Sequence, residues 1–315
     1  MRSKLIILTI LTLSLVAIAG FFVWKGLSLS VAEGDNLPAD ETRVADNTLE
    51  AAIVAAASEP NYFPIRDFNI SEPEITAKAG VIYDRSSGRF LYKKNADEHL
   101  PIASITKLMT AIVAIEKLDM NRIVIVSVEN INVDGNGADL YQNEKIYISD
   151  LIKMLLIKSS NDAALTLAER AKERGMDFVL EMNKKALELG MVNTRFNDPA
   201  GLSDDAFSTA SDLVKLVNHA RDYDQIWEIM RIQTADITSI DANIVHRIVN
   251  TNKLLGEIPG IIGGKTGFTD GAGGTMLLVA EHENSELISI VLGTENRFGE
   301  IKQLIEWAKM THRWK

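Results

Sequence analysis

The stretch that decides the fold reads Ala103-Ser104-Ile105-Thr106-Lys107-Leu108-Met109-Thr110-Ala111, and its apolar periodicity continues to Leu118. Apolar side chains recur every three or four residues, which predicts a helix with one face in the core. Ser104 and Lys107 lie three positions apart at the start of this helix, so the amine can reach the hydroxyl. A serine hydroxyl becomes a nucleophile when a base accepts its proton, and a lysine whose pKa is lowered can be that base.

Taken alone, this S-x-x-K pattern is weak evidence, because about one is expected by chance in such a chain. Two further motifs follow it. Ser159-Ser160-Asn161 lies between two predicted helices, where it could simply be a helix cap, and Lys265-Thr266-Gly267 lies in a glycine-flanked predicted strand. The order S-x-x-K, S-x-N, K-T-G is the signature of serine penicillin-recognising enzymes.

The residues around all three motifs resemble the low-molecular-mass D-alanyl-D-alanine carboxypeptidases, from about Ala77 to Trp307. The similar stretches are 103–111, 161–164, 197–202, 250–255 and 264–270. The resemblance implies an α/β (α+β) fold of the serine β-lactamase and transpeptidase type, with helices flanking an antiparallel sheet and an all-helical lobe. The residue pattern favours the same layout, because strand patterns near both sequence ends bracket a helical middle.

The resemblance also implies the catalytic roles. Ser104 would attack the carbonyl between two terminal D-alanines of a peptidoglycan stem peptide, Lys107 would be the base, and Ser159 would relay a proton to the leaving amine. Backbone N–H groups at Ser104 and Phe268 would form the oxyanion hole. Water would then hydrolyse the acyl-enzyme, and β-lactam antibiotics would acylate the same serine as covalent inhibitors. No cofactor and no metal are implied.

Substrate binding is implied for six residues, which are Asn161, Lys265, Thr266, Gly267, Phe268 and Arg297. Asn161 would hold the substrate amide, and Lys265 would add positive potential that keeps Lys107 partly neutral. Thr266 and Arg297 would bind the terminal carboxylate. For Arg297 the alternative is an arginine in the first turn of a helix that faces solvent.

Composition excludes several other chemistries. The 315 residues contain no cysteine, which excludes thiol catalysis, cysteine-ligated zinc and disulfides, and the five histidines lack metalloprotease spacing. The formal charge of -10 argues against nucleic acid as a partner, because phosphate binding needs dense Lys and Arg. No G-x-S-x-G elbow is present, which disfavours a Ser-His-Asp hydrolase.

The N-terminal sequence predicts export. Residues 5–24 are largely apolar and follow Arg2 and Lys4, a length and flank that favour a membrane anchor with the following chain outside the cytoplasm. The alternative is a signal peptide cleaved near Ala17-Ile18-Ala19, which would give a secreted protein. The predicted organisation is an anchor over 1–25, a flexible tether over 26–76 and a catalytic domain over 77–315, at the membrane of a bacterial cell.

Three alternatives for the function stay open. A D,D-endopeptidase that cuts peptidoglycan crosslinks would carry the same motifs. A class A β-lactamase would need a glutamate for deacylation, whereas the loop from Asn197 offers only the four aspartates Asp198, Asp204, Asp205 and Asp212. A wall-binding protein without activity is disfavoured, because every expected catalytic position is filled.

Overall fold

The protein is described here by a computed structural model, which covers residues 63–131 and 140–314. The strands are β1 (Pro64–Arg66), β2 (Ala79–Asp84), β3 (Arg89–Lys94), β4 (Ile123–Ile125), β5 (Lys145–Tyr147), β6 (Thr234–Thr238), β7 (Val245–Val249), β8 (Ile261–Thr269), β9 (Gly273–His282), β10 (Ser285–Thr294) and β11 (His312–Trp314). The helices are α1 (Thr106–Lys117), α2 (Val128–Ile131), α3 (Ile148–Lys153), α4 (Asn161–Lys172), α5 (Phe178–Glu188), α6 (Ala210–Ala220), α7 (Asp224–Met230) and α8 (Arg297–Thr311). A 3₁₀ turn, Ala103–Ile105, precedes α1, and a π-helical segment, Met154–Lys158, follows α3.

A five-stranded antiparallel sheet lies at the centre, in the order β3-β2-β10-β9-β8. Strands from both ends of the domain join in it, since β2 pairs with β10, so the predicted antiparallel sheet is confirmed. Alternate residues of β9 enter two different cores: Leu277 packs with the helical lobe, whereas Leu278 packs with α8. Because both faces are covered, β9 and β10 are buried almost continuously rather than at alternate residues.

Helix α1 runs through the middle of the domain, and every residue from Thr106 to Ala114 is buried. It contacts α4, α5, α6 and the π-helical segment. The sequence predicted an amphipathic helix, and the structure buries its polar side as well, since Lys107 and Thr110 both find partners inside. The fold therefore places an amine in a dry interior, where its chemistry changes.

Several local features differ from the sequence prediction. Helix α7 was not predicted. The sequence favours Ser211 as the N-cap of α6, but the cap is Thr209, whose hydroxyl accepts from the Asp212 N–H. The hairpin of β6 and β7 forms a two-stranded sheet of its own. Helix α7 has seven residues, which are too few for a clear periodic signal. The alternation of apolar and polar residues in β6 and β7 predicts strands but does not show which sheet they join.

The predicted tether boundary at residue 76 is wrong for its last part, because residues 63–76 belong to the domain. Strand β1 pairs with β11, and Trp307 Nε1 donates to the Ser71 carbonyl at 2.9 Å. Glu300 Oε1 accepts from the Thr76 hydroxyl at 2.7 Å and from the Ala77 N–H at 3.1 Å. Sequence reasoning missed this strap because its proline-rich composition resembles a linker.

The predicted anchor over 1–25 and the tether over 26–62 lie outside the described residues. Within 63–131 and 140–314, no helix is both long and apolar enough to span a bilayer.

Candidate active site

Ser104 lies in the 3₁₀ turn at the start of α1, half-buried, next to the edge strand β8. Ala103 before it adopts a positive φ of 48°, which is uncommon for a residue with a side chain. A Cβ on Gly267 would stand 2.8 Å from the Ser104 nitrogen. Glycine is therefore required at this position, because the β8 backbone approaches the backbone N–H of the serine.

Lys107 is fully buried and its amine has three partners. Nζ lies 2.8 Å from Ser104 Oγ, 2.7 Å from Asn161 Oδ1 and 2.6 Å from the Ala200 carbonyl oxygen. A neutral amine has two N–H donors and one lone pair. The two carbonyl-type oxygens take both donors, so the lone pair is left for the hydroxyl proton of Ser104.

Burial lowers the pKa of Lys107 to about 7, while the negative charges of Asp198 and Asp162 oppose the shift. The amine is thus neutral in a large fraction of molecules near pH 7 and can accept a proton. From the residues, either burial or a second cation could lower this pKa, and the resemblance implied Lys265 as that cation. The larger cause in the structure is burial.

Ser159 follows the π-helical segment and adopts the left-handed conformation, with φ 68° and ψ 35°. Such a backbone is unfavourable for a residue with a side chain and is common at functional sites. Lys265 Nζ donates to Ser159 Oγ at 2.7 Å and to the Thr266 carbonyl at 2.9 Å. The next residue, Ser160, caps α4 through the Ala163 N–H, and this fixes Asn161 at the first position of that helix.

Lys265 is also fully buried, on β8. Burial, together with the positive charges of Lys107 and Arg297, holds its pKa well below the usual lysine range. The three motifs therefore meet at one place in the fold, in two hydrogen-bonded groups. The Lys107 amine contacts Ser104 and Asn161, and the Lys265 amine contacts Ser159.

Arg297 is the first residue of α8, capped by Asn296, whose side chain accepts from the Gly299 N–H. Its guanidinium turns toward the sheet, since Nη1 lies 3.5 Å from where a Cβ on Gly274 would stand. Gly274 is the β9 partner of Phe268 in the sheet register. Burial lowers the pKa of Arg297, and its Nε has no hydrogen-bond partner within the described part of the chain. This placement differs from an arginine that merely faces solvent.

The β8 residues complete the arrangement. Thr266 is buried, and its hydroxyl donates to Thr251 Oγ1 at 2.8 Å, whereas Phe268 is 61 % exposed. The Thr251 N–H donates to the Ile157 carbonyl, two residues before Ser159. Thr251 thus joins the segment that carries Ser159 to β8.

Sequence reasoning gave no role to Thr251 or to the turn that carries Ala200. Both lie in stretches that resemble the carboxypeptidases, 250–255 and 197–202, and this resemblance was the available signal. The spacing of the motifs could not show which carbonyl or hydroxyl faces the site. The Lys107 amine and the Ala200 carbonyl, for example, belong to residues 93 positions apart.

Comparison with known proteins agrees with the family resemblance of the three motifs. The sequence model of the D-alanyl-D-alanine carboxypeptidase family, peptidase family S11, matches residues 66–296. The chain is 31 % identical over 272 residues to the D-alanyl-D-alanine carboxypeptidase DacF of Bacillus subtilis, covering 83 % of this chain and 70 % of that one. It is 36 % identical over 210 residues to a D-alanyl-D-alanine endopeptidase of Haemophilus influenzae, covering 65 % of this chain and 71 % of that one.

Among solved structures, the fold is similar to penicillin-binding protein D2 of Listeria monocytogenes in its cefotaxime-bound form. The TM-score is 0.67 at 34 % identity, covering 76 % of this chain and 99 % of that one. The family match spans most of the chain and includes all three motifs. The protein therefore belongs to the D-alanyl-D-alanine carboxypeptidase family of serine peptidases.

Proposed function

We propose that the protein removes the terminal D-alanine from peptidoglycan stem peptides through an acyl-enzyme on Ser104. The observation that carries this proposal is the buried Lys107 amine, which lies 2.8 Å from Ser104 Oγ with its other two contacts made to carbonyl-type oxygens. A lysine so placed is a general base for its neighbouring serine.

Acylation starts when Lys107 takes the hydroxyl proton and Ser104 Oγ attacks the carbonyl carbon of the penultimate D-alanine. Negative charge develops on the carbonyl oxygen, and backbone N–H groups of Ser104 and Phe268 stabilise it. Each such donor contributes about 3 kcal/mol to the transition state. The close approach of Gly267 to the Ser104 nitrogen supports this assignment, because it brings the β8 backbone beside that N–H.

The tetrahedral intermediate then collapses. The C–N bond breaks, the leaving nitrogen receives a proton by way of Ser159, and free D-alanine departs. Lys265, bonded to Ser159 Oγ at 2.7 Å, orients that hydroxyl and supplies positive charge when protonated. Thr266 and Arg297 hold the terminal carboxylate. Water finally hydrolyses the ester and regenerates Ser104.

The test uses the full chain in detergent with a pentapeptide substrate. We expect D-alanine release and a tetrapeptide product by mass spectrometry. Ser104→Ala should abolish both, whereas the matched control Ser86→Ala, at an exposed serine of the β2–β3 turn, should retain them. D-alanine release that survives in Ser104→Ala would exclude this serine as the nucleophile.

Endopeptidase activity is the second candidate, supported by the similarity to the H. influenzae endopeptidase. Both activities would use the same acyl-enzyme and differ in what leaves. Incubation with crosslinked muropeptide dimers distinguishes the two activities. An endopeptidase splits the dimers into monomers, whereas a carboxypeptidase leaves the crosslink intact.

We also propose that β-lactams acylate Ser104, a proposal supported by the similarity to the cefotaxime-bound protein. A fluorescent penicillin should label the wild-type chain but not Ser104→Ala. The acyl-enzyme should be long-lived. Three of the four aspartates that could act in deacylation are already engaged in holding loops: Asp198, Asp204 and Asp212 accept hydrogen bonds from backbone or hydroxyl groups.

For location, we propose that the catalytic domain lies outside the cytoplasm, with residues 5–24 as the anchor. The support is the apolar length and the basic flank of this stretch. Cell fractionation should place the full chain in the membrane and a chain lacking residues 1–25 in the soluble fraction. A chain that reaches the medium with a new N-terminus near residue 20 would favour a cleaved signal peptide.

A further inference from the structure

We propose that Asp198 is a positioning residue: its carboxylate fixes the Ala200 carbonyl against the Lys107 amine and places a negative charge near that amine. The proposal rests on the proposed function of Lys107. It adds a residue to which neither the three motifs nor the family comparison assigns a role.

The Asp198 carboxylate organises the turn that follows it. It accepts hydrogen bonds from four successive backbone N–H groups, those of Ala200 at 2.7 Å, Gly201 at 2.6 Å, Leu202 at 3.1 Å and Ser203 at 2.8 Å. A carboxylate bonded in this way closes a tight local turn, as aspartates do at turn starts. The direction of the Ala200 carbonyl is therefore set by the Asp198 side chain.

On either side of that carbonyl, the turn contacts α1 and the 3₁₀ turn that precedes it. The Thr110 hydroxyl donates to the Pro199 carbonyl at 2.6 Å. Gly201, with φ +75°, lies so close to Ala103 that a Cβ would stand 2.0 Å from its carbonyl oxygen. The Ala200 oxygen, held between these contacts, lies 2.6 Å from Lys107 Nζ.

The charge of Asp198 acts on the same amine. Burial is the main cause that lowers the pKa of Lys107, and Asp198 is the first of the opposing charges, ahead of Asp162 on α4. Lys265 on β8 is a further titratable neighbour, and its own pKa is held well below the usual range. Removing the charge of Asp198 therefore leaves burial less opposed, and the amine loses its proton at lower pH.

The test is the pH profile of acylation by a fluorescent penicillin, using the full chain with Asp198→Asn. Asparagine keeps the shape and one accepting oxygen but removes the charge. The acid limb should move down by about one pH unit, as expected for loss of one nearby opposite charge. One unit below the wild-type midpoint, the rate relative to its plateau should then be about fivefold higher than in the wild type.

The matched control is Asp177→Asn, because the Asp177 carboxylate also accepts from a backbone N–H, that of Leu180, as the N-cap of α5. The acid limb of the pH profile of Asp177→Asn should coincide with that of the wild type. Asp198→Ser, which is also neutral and forms similar turns, should shift like Asp198→Asn, whereas Asp198→Glu should keep the wild-type midpoint. A lower plateau with an unmoved midpoint in both neutral variants would overturn the proposal. Absence of acylation in the wild type would instead overturn the proposed function.

Discussion

Substituting alanine for Gly201 tests whether the 198–203 turn places the base. The added Cβ would stand 2.0 Å from the Ala103 carbonyl oxygen and 2.8 Å from Thr106 Oγ1. Ordinary contact begins at 3.4 Å, so the turn or the 3₁₀ segment must move by about 1.4 Å. Both segments carry groups that contact Lys107 or the nucleophile. Neither can move that far without changing the hydrogen bonds of the amine.

Two contributions set the size of the effect. A left-handed alanine costs about 1 kcal/mol relative to glycine, and crowding in a packed interior adds about 1–3 kcal/mol. The free energy of unfolding should therefore fall by about 3 kcal/mol, which is about 10 °C in Tm for a domain of this size. A displacement of about 1 Å in a catalytic group lowers rates by about 10²-fold. We therefore expect acylation of Gly201→Ala to be slower by about two orders of magnitude.

The assay is thermal unfolding together with stopped-flow acylation by a fluorescent penicillin, with Gly175→Ala as the matched control. Gly175 has φ +76°, nearly identical to the +75° of Gly201, but within the described part of the chain no atom beyond its sequence neighbours lies within 4 Å of its added Cβ. The control measures backbone strain alone, so it should lose about 1 kcal/mol and acylate normally. If Gly201→Ala acylates as fast as Gly175→Ala, the turn does not position Lys107 and the reasoning fails.

Three further outcomes follow from the same contacts. Acylation should rise with pH through about 7, because the base form of Lys107 is populated above its pKa and lost below it; equal rates at pH 6 and pH 8 would contradict this. Arg297→Ala should raise KM by about 10–100-fold for a peptide with a free C-terminal carboxylate, since charged hydrogen bonds contribute about 1.5–3 kcal/mol. The KM for a C-terminally amidated peptide should hardly change, and Arg313→Ala, at an exposed position, should leave both KM values unchanged. Glu300→Gln should lower the free energy of unfolding by about 1–3 kcal/mol, measured by urea denaturation, because it weakens the hydrogen bonds that hold Thr76 and Ala77 against α8. Glu306→Gln, at an exposed position on α8, is its control.

The sequence predicted those parts of the fold whose pattern is local and strong. The apolar run after Ser104, the glycine-flanked strand at Lys265 and the bracketing of helices by strands were each legible from periodicity. The central sheet followed, because antiparallel strands at both sequence ends have only a few ways to pair. The three motifs were brought together by the fold as expected, although their functional roles came from the family resemblance.

What could not be predicted depends on contacts between distant residues. The left-handed backbone of Ser159 arises where a π-helical segment ends, and nothing in its neighbours announces this conformation. The Ala200 carbonyl reaches Lys107 across 93 positions. Residues 63–76 resembled a linker because the signal that orders them is a carboxylate on α8, Glu300, which lies 224 residues after Thr76.

The electrostatics of the site explain how an acidic protein can hold an anionic substrate. The chain carries -10 overall, yet Lys107, Lys265 and Arg297 lie near one another. Burial lowers the pKa of both lysines, and the positive charges of Lys107 and Arg297 lower that of Lys265 further, so the free site need not carry three charges at once. A carboxylate that binds beside Arg297 favours the protonated form of Lys265, since an opposite charge stabilises a cation. Binding would then place a proton on the amine that contacts Ser159, at the stage when the leaving nitrogen requires one. In this view the substrate carboxylate does more than anchor the peptide, because it also prepares the donor for the bond that breaks.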